Sequence, residues 1–160
     1  MRLDASGNLL IGATSTSSAT GSWFEVAGAG RRILNLANDS TGGATVQRFI
    51  NGNGTVGSIV TNASATAFNT SSDYRLKEDL QDFEGLDLVS KIPVYDYKWK
   101  ADESRSYGVM AHELAEVLPQ AVSGDKDAEE MQSVDYSKIV PLLVKSIQEL
   151  KAEIELLKNK

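Results

Sequence analysis

Cysteine is absent from the 160 residues, which excludes a disulfide framework and any thiol-based catalysis. A single histidine, His112, leaves no multi-histidine metal site, and no metal or cofactor pattern is found. No stretch approaches the roughly 18 apolar residues that a membrane span needs, and Met1-Arg2-Leu3-Asp4 lacks the apolar core of a signal peptide. Neither a membrane nor a secretory protein is expected. Positive charge is also scarce: a net charge of -6 and a pI near 4.8 argue against a general nucleic-acid surface.

The scarcities are unevenly spread. No lysine precedes Lys77, ten of the 13 glycines lie before Ser72, and all 3 prolines lie after it. Residues 1–71 carry a net charge of +1 and the remainder -7, so two segments with different physical roles are expected.

The first segment reads as short strands at Leu9–Ile11, Trp23–Val26, Ile33–Leu36, Val46–Ile50 and Val56–Val60. Turn or loop chemistry separates them at Ser6–Asn8, Thr14–Ser22, Asn38–Gly43 and Asn51–Gly54. So few Leu, Ile, Val and Phe residues make a marginal core for a small domain. Such strands are better completed by other copies of the chain, as in an intertwined homotrimeric fibre. For residues 12–22 a flexible Ser/Thr/Gly linker is the alternative. No fixed-period repeat supports a solenoid.

The second segment reads as a small α+β unit. Leu86, Val89 and Ile92 have helical spacing and Pro93 stops the run. Strands are expected at Val94–Trp99 and Ser106–Met110, a short helix at Glu113–Leu118, a charged loop at Gly124–Glu130 and a strand at Met131–Val134. Tyr95, Tyr97 and Trp99 are expected in the core rather than as a ligand platform. From Ser137, the expected N-cap, the chain becomes helical to its end, with Pro141 tolerated in the first turn. Val140, Ile147 and Ile154, with Leu143, Leu150 and Leu157 three residues on, hold a 3-4 spacing for three heptads. That stripe seeks a partner helix, or else packs on its own domain as an amphipathic helix.

Between the segments stands Ser72-Asp73-Tyr74-Arg75-Leu76-Lys77. It resembles the opening Ser-Asp-x-Arg-x-Lys of the C-terminal intramolecular chaperone domain of phage endosialidases, tail spikes, neck appendages and L-shaped tail fibres. At ordinary residue frequencies the four fixed positions coincide about once in 10⁵ windows. Tyr107–Glu113 resembles the family's Gly-Val-x-Ala-x-Glu stretch and Leu118-Pro119 its Leu-Pro turn. Val134-Asp135-Tyr136 and Leu142–Leu150 resemble its closing Val-Asp-Tyr and long helix, so the similarity runs through residues 72–160.

The resemblance implies a domain that trimerises the preceding fibre and then removes itself by self-cleavage. Carried over, Ser72 is the nucleophile, Lys77 its general base, and the Ser71-Ser72 bond the one cut. A serine hydroxyl needs an adjacent base. A free lysine, with a pKa near 10.4, is rarely neutral at pH 7, so burial or a cationic neighbour such as Arg75 has to favour its neutral form. Duller roles stand beside these. Ser72 or Asp73 can simply cap a helix start, Arg75 can pair with Glu78 or Asp79, and His112, an alternative base, has a structural role as its plainer assignment. The heptad pattern alone favours two strands, whereas the family implies three.

The expected organisation is therefore α+β: residues 1–71 are the end of a trimeric β-rich phage fibre or spike, and 72–160 an auto-processing chaperone domain ending in a long C-terminal helix. The expected function is a trimerisation chaperone released by serine-dependent autoproteolysis. Its partners are its own copies and the preceding fibre segment, with no nucleic acid and no membrane, on a virion tail fibre or spike assembled in the bacterial cytoplasm. Met1 is expected to begin within a longer fibre, whose own enzyme activity would lie upstream. The alternative is a non-cleaving trimeric tip that binds a receptor; a glycan hydrolase is disfavoured because no convincing carboxylate pair is present.

Overall fold

Short, turn-punctuated apolar runs do become strands here, and periodic ones helices. The computed structural model describes residues 2–5, 7–11, 21–27 and 31–159, and the chain divides into two units, Met1–Asp79 and Leu80–Lys160. The architecture is α+β.

In the first unit, β1 (Arg2–Leu3), β2 (Leu9–Ile11), β3 (Gly21–Ala27) and β4 (Arg31–Ala37) form an antiparallel sheet in chain order. Asp4 closes the first turn, accepting from the Asn8 amide and carboxamide at 2.9 and 2.8 Å, with Gly7 at φ 81°. Leu10 pairs across strands with Trp23, and these two are the buried apolar side chains described in this unit. Residues 12–20, most of the expected linker, lie outside the described residues, whereas Gly21 and Ser22 already belong to β3.

A second antiparallel sheet comprises β5 (Ala44–Asn51), β6 (Gly54–Asn62) and β7 (Ala65–Thr70). The Asn-Gly-Asn-Gly turn joins β5 to β6, with Asn51 Oδ1 accepting from the Asn53 amide at 2.9 Å and Gly54 at φ 93°. Strand β7, absent from the expected set, consists largely of Ala, Thr and Asn and is held by its full register against β6, from Gly57↔Thr70 to Asn62↔Ala65. Its side chains are all exposed, as are Phe49 and Ile50 of β5. A three-stranded sheet whose outer strands are largely exposed and whose central strand is only half-buried matches the poverty of apolar residues in the sequence.

The second unit is organised around Leu114, Leu118, Ala121 and Leu142, with Leu88, Val89, Ile92, Val109, Val122, Val134 and Ile139 against them. Helix α1 (Gly85–Ser90) is followed by the hairpin β8 (Tyr95–Lys98) and β9 (Arg105–Gly108), then α2 (Ala111–Val117). Pro119 starts a 3₁₀ turn, after which β10 (Val122–Ser123) pairs with β11 (Ser133–Val134) across the charged loop. Helix α3 (Val140–Lys158) closes the chain. Burying each core leucine contributes about 1.5–3 kcal/mol to the unit's stability.

Two expectations in this region are corrected. Ser137 is not the N-cap: Asp135 caps the 3₁₀ turn Tyr136–Ile139, accepting from the Ser137 amide and hydroxyl at 3.0 and 2.6 Å, and α3 grows from that turn with Pro141 as its second residue. Tyr95 and Trp99 are exposed rather than core, because β8 pairs only with β9; Tyr97 is half-buried and meets the Trp99 ring edge-on at 5.2 Å. Of the two settings open to the C-terminal helix, α3 packs on its own domain through Leu142 and still presents the heptad stripe. Leu142 and Ser146 are buried against the domain, whereas Val140, Leu143, Ile147, Leu150, Ile154 and Leu157 on the adjoining flank of the helix are exposed.

The two helices touch at Gly85. A Cβ there would lie 2.7 Å from the Lys145 side chain and 2.8 Å from the Ser146 amide. Helix α1 has no cap of its own at Glu84; instead the Glu149 carboxylate of α3 accepts from the Gly85 and Leu86 amides at 3.0 and 2.7 Å. Lys145 joins the same cluster by pairing with Asp82 at 2.6 Å.

Candidate functional site

The site is built from a single stretch of chain at the end of the β5–β7 sheet. The β6–β7 ladder reaches one residue beyond β7, because the Ser71 amide donates to the Val56 carbonyl at 3.1 Å. The Ser71 hydroxyl donates to the neighbouring Thr55 carbonyl, also at 3.1 Å. Ser71-Ser72 is therefore the first peptide bond off the sheet.

After Ser72 the chain turns back sharply. Asp73, in extended conformation, caps the 3₁₀ turn Tyr74–Leu76 by accepting from the Arg75 amide at 2.9 Å. The Arg75 guanidinium grips the same carboxylate with two further bonds, Nε to Oδ1 at 2.9 Å and Nη2 to Oδ2 at 2.8 Å. Backbone bonds from Leu76 to Asp73 and from Lys77 to Tyr74, each 3.1 Å, complete the turn. Lys77 emerges extended, and its Nζ donates to Ser72 Oγ at 2.7 Å. The spacing Ser-Asp-x-Arg-x-Lys thus has a local physical meaning: Asp73 caps, Arg75 staples the cap, and the turn returns the lysine to the serine.

The electrostatics follow from that staple. The Arg75 guanidinium, and after it the Arg75 amide, hold the Asp73 carboxyl below the usual carboxylate range, and Asp73 raises Arg75 in turn. Arg75 therefore pairs with Asp73, not with Glu78 or Asp79, and much of its charge is spent there rather than on Lys77. Ser72 and Lys77 are both exposed.

His112 lies on α2 in the second unit, half-buried beside a pocket of about 250 Å³ lined by Glu116, Asp125, Lys126 and Gln132. The structure brings Ser71, Ser72, Asp73, Arg75 and Lys77 together within the first unit, whereas His112 belongs to the second. Among the described residues no cluster of three or more His, Asp or Glu side chains is able to hold a metal ion, and no helix is long and apolar enough to cross a membrane. The anchoring carbonyls of Thr55 and Val56 left no trace in the sequence, since a backbone acceptor has no residue signature.

Comparison with known proteins bears directly on this stretch. Residues 72–123 match the chaperone of endosialidase family. The match starts at Ser72 and runs through α2 to β10, over the same stretch in which the sequence motifs resemble that family. Relatives include the long tail fiber protein Gp37 of Enterobacteria phages M1 and Ox2, each 36% identical over 97 residues, covering 55% of this chain and 39% of the relative. Gp37 of Salmonella phage S16 is 32% identical over 108 residues, covering 57% of this chain and 14% of the relative. The chain thus spans well under half the length of these relatives.

Proposed function

We propose that this chain is the end of a phage tail fibre joined to its own trimerisation chaperone, residues 72–160, which releases itself by cutting the Ser71-Ser72 bond. The observation that carries the proposal is the 2.7 Å contact between Lys77 Nζ and Ser72 Oγ at the first peptide bond off the sheet. The family match, whose name Peptidase_S74 marks peptidase chemistry, and the tail fibre relatives support it.

The reaction proceeds in two steps. Neutral Lys77 Nζ accepts the Ser72 hydroxyl proton as Oγ attacks the Ser71 carbonyl carbon, forming the C–O bond. The same proton passes to the Ser72 nitrogen, the C–N bond breaks, and the chain is joined through an ester. Water then adds to the ester carbonyl, leaving a Ser71 carboxylate and regenerating the Ser72 hydroxyl. Lysine accepts a proton only when neutral, a form that burial favours. Trimer assembly that covers the dyad therefore switches it on. The exposed heptad stripe of α3 offers three copies a common seam. The fibre assembles in the host cytoplasm, joins the virion tail, and sheds the domain.

Intact-mass measurement of the wild-type chain and of Ser72→Ala and Lys77→Ala tests the proposal. The wild type should yield fragment 72–160, while both variants stay at full mass and assemble normally. Cleavage of Ser72→Ala would remove the nucleophile assignment, and an uncut wild-type trimer would leave a non-cleaving tip.

A further inference from the structure

The acyl side of the scissile bond is held as firmly as the nucleophile side. The Ser71 amide is tied to the Val56 carbonyl and the Ser71 hydroxyl to the Thr55 carbonyl, each at 3.1 Å. Two successive carbonyls of one strand thus fix a single residue, whose own carbonyl carbon is the atom to be attacked. Elsewhere along β7 the side-chain bonds serve only the sheet, as Asn69 Nδ2 does in donating to Ser58 Oγ at 3.5 Å.

We propose that Ser71 is a positioning residue for the self-cleavage, its hydroxyl locking the acyl group to β6 so that the carbonyl stays within reach of Ser72 Oγ. This rests on the cleavage reaction proposed above. An intramolecular attack depends on how often the reacting atoms adopt a near-attack geometry, and a misplacement of about 1 Å is enough to lower the rate. On the nucleophile side the 3₁₀ turn and the Lys77 contact limit where Oγ goes. On the acyl side, the amide bond leaves the residue free to pivot, and the hydroxyl bond removes that freedom. The lock serves both steps, because the ester carbonyl awaiting water is still that of Ser71. After hydrolysis the new carboxylate terminus remains anchored to the sheet through the same two bonds instead of fraying.

The test compares cleavage rates of Ser71→Ala, Ser71→Thr and Asn69→Ala with wild type, each with its trimer mass measured, and uses Ser72→Ala as reference. Loss of one exposed hydrogen bond in the transition-state geometry should slow Ser71→Ala about three- to tenfold. Ser71→Thr, which keeps the hydroxyl and suits extended backbone, should restore the rate to within about twofold. Asn69→Ala, which removes a sheet bond not touching the scissile residue, should cleave as wild type. The inference is overturned if Ser71→Ala matches wild type, if threonine fails to rescue it, or if Asn69→Ala slows cleavage equally. Cleavage of Ser72→Ala would instead overturn the underlying reaction.

Discussion

Replacing Gly85 by alanine sets two effects of opposite sign against each other, and the structure decides between them. Gly85 is the first residue of α1, and alanine in a helix is ordinarily better than glycine by about 0.5–1 kcal/mol. Here, however, the added methyl would lie 2.7 Å from Lys145 Cβ and Cγ and 2.8 Å from the Ser146 backbone nitrogen. The lysine stem is able to shift, but the backbone nitrogen belongs to a rigid turn of α3, so the helices have to separate. Separation also pulls Glu149 from the Gly85 and Leu86 amides. Overpacking of this kind costs about 1–3 kcal/mol, and stretching a two-bond cap adds about 1 kcal/mol, which exceeds the propensity gain. A net loss of about 2 kcal/mol is expected. In a unit of this size each kcal/mol moves the midpoint by roughly 4–8 °C, so the helical transition should fall by about 8–16 °C. Thermal circular dichroism at 222 nm on the Ser72→Ala chain, with and without Gly85→Ala, measures it. A midpoint unchanged or raised would refute the helix-contact argument.

The Leu86 and Gly85 amides, with Lys145, hold Glu149 below its ordinary pKa, and the Lys145 bond does the same for Asp82. Because these folded values are depressed, the stabilisation is complete above the unfolded carboxylate range near pH 4 and is lost as pH falls through the folded values. Urea midpoints from pH 3 to 7 should therefore drop on the acid side, and Glu149→Gln should flatten that drop while lowering stability at pH 7; an unaltered slope would show that the cap is not ionised or not formed. On the assembly side, light scattering of the Ser72→Ala chain should give a trimer mass. Ile147→Asp, which places charge in the apolar seam, should lower it, whereas an undiminished trimer would show that α3 is not the seam.

What was legible in the sequence was what neighbouring residues decide among themselves. The turn from Ser72 to Lys77 depends on Asp73 capping Arg75, and every hydrogen bond in it spans five residues or fewer, so its motif carries its geometry. The β5–β6 hairpin announced itself through Asn51-Gly52-Asn53-Gly54. Strand β7 did not, because Ala65–Thr70 has one large apolar residue and the turn before it places Ala63 at φ 49°, where glycine or asparagine is the usual signal. The Glu149 cap was invisible for another reason: its carboxylate and the Leu86 amide are 63 residues apart. Nor does a sequence show that a two-stranded hairpin leaves Tyr95 and Trp99 uncovered.

Two features of the folded chain are each half of something. The proposed dyad has its contact, 2.7 Å between Lys77 and Ser72, but both groups are exposed. Helix α3 has its anchor, with Leu142 and Ser146 buried on the domain, but its three-heptad stripe is bare. On the proposed reading, further copies of the chain cover the apolar stripe, and assembly also withdraws Ser72 and Lys77 from water. On that reading the local turn, which already brings Ser72 and Lys77 into contact, need not change. Cleavage gated in this way is controlled by desolvation rather than by rearrangement, so its rate should follow the fraction of chain assembled. An unassembled chain would keep the scissile bond in place, with the chaperone still attached to the strands it has yet to align.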